Sequence, residues 1–92
     1  MPQIFKIGAY IVYFWANEGF PLEPIHVHVA EKTPTENATK IWLTKAGGSF
    51  VANNNSLIPS RTLRNIVRIV EARRNEIIER WLSFFGSLTY YC

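Results

Sequence analysis

Two histidines stand two positions apart in the run Pro24-Ile25-His26-Val27-His28-Val29, and the chain has no others. The β-branched residues around them mark a strand. In a strand, residues i and i+2 share a face. His26 and His28 are therefore expected to point one way, and Ile25, Val27 and Val29 the other way into a core. Such alternation needs a sheet with one apolar side and an element elsewhere in the chain to cover it.

The second half of the chain supplies the cover. After Pro59-Ser60, a helix start with Ser60 as the expected N-cap, apolar residues recur at Leu63, Ile66, Val67, Val70, Ile77, Ile78, Trp81, Leu82 and Phe85. That spacing is helical. Gly86 is the expected C-terminal stop. Arg73-Arg74-Asn75 interrupts the stripe, so the segment reads as one long helix or as two short ones broken there.

Other strands can be read before and after the histidines. Gln3 to Ile7 and Ala9 to Trp15 flank a tight turn at Gly8-Ala9, where glycine is free to take positive φ. In the second strand Ile11, Tyr13 and Trp15 share one face, and Val12 and Phe14 the other. Two apolar faces place that strand inside the sheet. Asn17 to Pro24 reads as a loop, Ile25 to Glu31 as the third strand, and Lys32 to Asn37 as a second loop. Ala38 to Thr44 and Ser49 to Ala52 form a hairpin about Ala46-Gly47-Gly48. Within it Ile41 and Leu43 oppose Lys40, Trp42 and Thr44. Asn53 to Ser56 is a polar strand-to-helix connection. The tail from Leu88 to Cys92 is expected to add an edge strand or to pack across the sheet. The fold class is thus α+β: a small, mostly antiparallel sheet of about five strands followed by a C-terminal long or broken helix packed on one face.

Ninety-two residues suit a single domain, 1–92, and a content of 48% hydrophobic and 14% aromatic residues is enough to fold one. A net charge of +3 is mild and does not by itself indicate nucleic acid. The chain has no aspartate and one cysteine, Cys92, so an internal disulfide is excluded. No secretory pattern or membrane-length apolar run is seen, and a reducing cytoplasm is the expected setting. No phosphate loop, cysteine pair or nucleophile elbow occurs, so no cofactor is expected.

Three groups of side chains could carry chemistry. The histidine pair could act as general acid and base in phosphodiester cleavage, anchor the loop before it, or supply two ligands to zinc. Zinc would need a third ligand from Glu18, Glu23, Glu31 or Cys92; no metal site is assigned. Arg61, Arg64 and Arg68 follow i, i+3, i+7 on one helical face, with Arg73, Arg74 and Arg80 expected to extend it. Arginine suits phosphate and acidic partners alike. Trp42, facing away from Ile41 and Leu43, and the tail residues Tyr90 and Tyr91 could form a stacking platform or pack in a dimer.

Several of these residues carry a resemblance. Gly8, Tyr13-Phe14-Trp15, Asn17-Glu18, His26-Val27-His28-Val29, Trp81 and Phe84-Phe85-Gly86 are similar to the domain-of-unknown-function family 4160 of small bacterial and archaeal proteins. Asn37-Ala38-Thr39-Lys40-Ile41-Trp42-Leu43, Gly47-Gly48, Ala52-Asn53-Asn54, Ile58-Pro59 and Tyr91-Cys92 resemble a subgroup of it. Much of the family has two prolines before the first histidine, where this chain has Pro24-Ile25. Many members carry an additional histidine where this chain has Gly19 or Phe20, which removes a third imidazole.

The resemblance implies a component of a toxin-antitoxin-like pair, since family genes often sit beside those of another small family. The expected function is therefore macromolecular binding, with a cognate protein partner from a neighbouring gene. RNA is the sharper option: His26 and His28 would act on phosphate while Arg61, Arg64 and Arg68 position the backbone. The alternatives are a non-enzymatic interaction or dimerisation module, a homodimer included, and a metal-binding protein using His26 and His28. No membrane partner is expected.

Overall fold

The structure is a computed structural model that describes residues 3–16 and 22–92. Its strands are β1 (Gln3–Ile7), β2 (Tyr10–Tyr13), β3 (His26–Glu31), β4 (Thr39–Leu43) and β5 (Ser49–Asn53), followed by helices α1 (Ser60–Ala72) and α2 (Arg74–Phe85). The strands lie in the order β1-β2-β3-β4-β5, each antiparallel to the next. This is the expected α+β fold. Most of the loop expected from Asn17 to Pro24, together with Met1, Pro2 and Glu18, lies outside the described residues.

Alternation along the strands separates the two faces. Val12, Val27, Val29, Ile41 and Leu43 join Ile66, Val70, Ile77 and Trp81 of the helices in the main core. Ile11, Tyr13, Ala30 and Ala38 form a smaller cluster with Trp15. The helical stripe packs on the face that carries Val27 and Val29, as a 3.6-residue period allows, and Trp81 of α2 also reaches His26.

β2 is shorter than the expected run to Trp15. Its ladder to β3 stops at Tyr13 opposite His28. Phe14 leaves the ladder and packs on the rings of Trp81, Phe84 and Phe85, with centroids 5.2 to 5.6 Å away. Aromatic burial there outweighs one further strand pair.

The hairpin turn uses a single left-handed glycine. Gly47 has φ of 103°, whereas Gly48 is not in the positive-φ region. Thr44 donates to the Gly48 carbonyl and accepts from the Gly47 amide, closing a three-residue loop with a bulge.

The Asn53–Ser56 connection is a hydrogen-bonded staple. The Asn54 side chain takes hydrogen bonds from the Thr39 hydroxyl and the Ile58 amide and donates to the Ile58 carbonyl. The Ser56 hydroxyl donates to the carbonyl of Val29. The left-handed residue of this segment is Leu57, with φ of 55°, not an asparagine. The Ile58 backbone is held so that Pro59, not Ser60, takes the cap position; Ser60 is already helical and makes no side-chain cap. The expected N-cap is corrected accordingly.

The helical segment breaks at Arg73, the place where the stripe is interrupted. Arg73 has φ of −102° and ψ of 23°, outside helical geometry. Its guanidinium lies 3.8 Å from the Phe5 ring centroid and grips Glu76 through two nitrogens. Gly86 ends α2 in the left-handed conformation, as expected.

The tail is not an edge strand. Thr89 and Cys92 accept hydrogen bonds from the amides of Ile25 and Lys45. Ile25 precedes β3 and Lys45 follows β4, so the tail crosses one end of the sheet.

Candidate functional site

His26 and His28 share the sheet face opposite the one α1 covers. This follows from their alternation with Val27 and Val29, which lie in the helix-side core. Their rings meet edge to face at 5.0 Å. His26 exposes none of its surface and His28 only 6%. The Nδ1 atom of His26 lies 2.9 Å from the Pro24 carbonyl. A carbonyl only accepts, so Nδ1 carries a proton, and in the neutral ring Nε2 holds the lone pair.

The pair belongs to a continuous row of rings that crosses the sheet. Trp15 meets Tyr13 at 5.4 Å, Tyr13 meets His28 at 5.6 Å, and His26 meets Trp42 at 5.3 Å. Trp42 stacks on Tyr91 of the tail at 4.9 Å with an interplanar angle of 10°. Trp81 of α2 also touches His26, at 5.4 Å. The Tyr13 hydroxyl donates to the Thr35 carbonyl and accepts from the Thr35 amide. Lys40 sits 4.2 Å above Trp42 and pairs with Glu23 at 3.1 Å.

Sequence reading paired the histidines but missed this row. A signal was present, because Tyr13 and Trp15, His26 and His28, and Trp42 all occupy alternate positions on neighbouring strands. The register that lines them up, Tyr13 opposite His28 and His26 opposite Trp42, exists only in the folded sheet. Trp42 therefore lies beneath Tyr91, and the exposed rings there are Tyr91, at 60%, and Phe50, at 53%.

The arginines divide into two sets. Arg61, Arg64 and Arg68 are exposed on α1 and line one shallow groove with Thr62 and Asn65. Among the described residues none of the three forms an ion pair or hydrogen bond. Arg73, Arg74 and Arg80 do not extend this stripe, which corrects the expectation. Arg73 holds Glu76, Arg74 sits against Tyr90, and Arg80 donates to the Gln3 carbonyl. The break at Arg73 carries all three away from the α1 face.

The histidine pair and the arginine stripe thus lie on opposite sides of the sheet. One phosphate cannot touch both. Among the described residues, no group of three or more His, Cys, Asp or Glu side chains is placed to hold a metal ion. Glu18, one of the suggested third ligands, is outside them. No helix among the described residues is long and apolar enough to cross a membrane.

What these features define is a small α+β domain, with a sealed imidazole pair inside a ring row and an exposed cationic helix. Residues 9–82 match the family described as Domain of unknown function (DUF4160), and the chain belongs to that family. Neither the comparison with curated proteins nor that with solved structures finds a match.

Proposed function

We propose that the domain works by macromolecular contact, as one member of a toxin-antitoxin-like pair, and that α1 makes the contact. The observation that carries this reading is the groove of Arg61, Arg64 and Arg68. Three guanidinium groups within about 10 Å of helix, given the rise of an α-helix, outnumber the one carboxylate beside them, Glu71, and leave a net positive potential on this face. An acidic surface on a cognate protein neutralises it and is steered onto it.

RNA is a second reading, favoured by Thr62 and Asn65 between the arginines. All five side chains can donate to phosphate oxygens. In this reading the stripe binds the backbone and the histidines are not within reach of the same phosphate. Acid-base work by His26 and His28 would require the ring row to open, because the buried rings meet no substrate as they stand. The fully buried His26 with its pinned Nδ1 fits loop anchoring.

Co-expression with the neighbouring gene product, a pull-down and a growth assay test the proposal together. Capture is expected, and it weakens steeply as salt rises. Replacing Arg61, Arg64 and Arg68 by glutamate abolishes it. Capture that ignores both changes would overturn the assignment to α1. If expression arrests growth, a folded His26→Ala, His28→Ala double variant that still arrests removes the imidazoles from the chemistry.

A further inference from the structure

The two edges of the sheet are finished differently. On β1, Arg80 caps the Gln3 carbonyl at 3.0 Å, Arg73 covers Phe5, and Lys6 is an exposed charge on the strand. Charged residues and covered backbone are what keep an edge from pairing with another chain. On β5 the run Ser49-Phe50-Val51-Ala52-Asn53 has no charge and no proline.

Its outward backbone groups can be assigned. Thr44 and Gly48 are a hydrogen-bonded pair, and the register continues with Leu43 opposite Ser49, Trp42 opposite Phe50 and Ile41 opposite Val51. Hydrogen-bonded and non-hydrogen-bonded pairs alternate in an antiparallel ladder. Ser49 and Val51 therefore turn their N–H and C=O groups away from β4. No other backbone group among the described residues bonds them. The register shift at Ala52 ends the regular edge there.

The surroundings of this edge are chemically specific. On its helix side lies a groove lined by Val51, Leu63, Val67, Arg64, Arg68 and Glu71. Glu71 takes a hydrogen bond from the Ser49 hydroxyl at 2.6 Å and keeps its charge, so the two arginines leave the rim with one net positive charge. On the other side Phe50 is 53% exposed. A strand laid beside β5 would send alternate side chains into the groove and beside Phe50.

We propose that β5 accepts an extended strand of a partner protein, and that the α1–β5 groove selects one whose helix-facing residues are an aliphatic side chain flanked by carboxylates. The main chain supplies hydrogen bonds through Ser49 and Val51, and the groove supplies specificity. The aliphatic residue covers Val51, Leu63 and Val67, and the carboxylates meet Arg64 and Arg68. This deepens the reading of the domain as a contact module and rests on it.

The test titrates the full chain, labelled with ¹⁵N, with the synthetic peptide Thr-Glu-Thr-Val-Phe-Glu-Thr. Binding is expected to saturate, with shifts centred on Ser49, Val51, Leu63 and Val67, and amide exchange at Ser49 and Val51 slows in the complex. An Arg64→Gln, Arg68→Gln variant, altered only at exposed positions, weakens binding by about tenfold or more. A peptide with lysine for glutamate, or with an N-methyl group on its valine, fails to bind.

Absence of saturation at millimolar peptide, or equal binding of the lysine peptide, overturns the proposal. Protection of Ser49 and Val51 that grows with protein concentration alone overturns it in favour of a second copy at this edge. If the neighbouring gene product is captured but leaves these two amides exchanging freely, the strand site fails while the contact reading stands. If the peptide binds as described but no protein is captured, the assignment to a cognate pair fails instead.

Discussion

The helix-covered face and the opposite face of this sheet come from the same five strands and hold together by different physics. On the covered face, aliphatic side chains from β2, β3 and β4 join residues of α1 and α2 in one buried core. On the other, a row of rings runs edge to face and then stacked, with two imidazoles in the middle. The first face is stabilised mainly by removal of apolar area from water, which is non-directional. The second depends on ring geometry and on a few hydrogen bonds, which are directional. Substitutions should expose the difference.

Trp81 has the largest expected effect. It is fully buried and touches Phe14, Phe85 and His26. Trp81→Ala should cost about 3–5 kcal/mol in urea unfolding, a large share of the stability of a domain of this size. His26→Ala comes next, at about 2 kcal/mol, from a smaller cavity and the lost bond to Pro24. Equal losses for Trp81→Ala and His26→Ala would erase the distinction and make the ring row a second core.

Tyr13→Phe sharpens the comparison on the ring side alone. It keeps the contacts with Trp15 and His28 and removes the two bonds to Thr35. About 1 kcal/mol is expected, and a loss near zero would mean the ring packing carries that end of the row unaided. The smallest effect on stability belongs to the α1 stripe. Replacing Arg61, Arg64 and Arg68 by glutamine should change the unfolding free energy by no more than about 0.5 kcal/mol per site, while the partner capture proposed for α1 is lost. A large stability change would show that the stripe is structural.

Much of this architecture is legible in the chain because its signals are local. Gly8, Gly47 and Gly86 take up left-handed turns or stops where their neighbours imply them. The alternation around Val27 and Val29 sorts buried side from histidine side. The interruption at Arg73-Arg74-Asn75 marks the helix break. The cap at Pro59 and the left-handed Leu57 are not legible, because both follow from Asn54 reaching Ile58 and Thr39, a set of contacts assembled by folding.

For the site, the residue types were legible and their grouping was not. Periodicity placed His26 with His28, and Arg61 with Arg64 and Arg68, since both relations lie within one element. Whether the two groups share a site is a relation between elements. The tertiary structure set them on opposite sides of the sheet, laid the tail across Trp42 and turned Arg73, Arg74 and Arg80 to Glu76, Tyr90 and Gln3. The reason is that a repeat of two or 3.6 residues records which way a side chain leaves its own element, whereas strand register and helix docking decide what it meets.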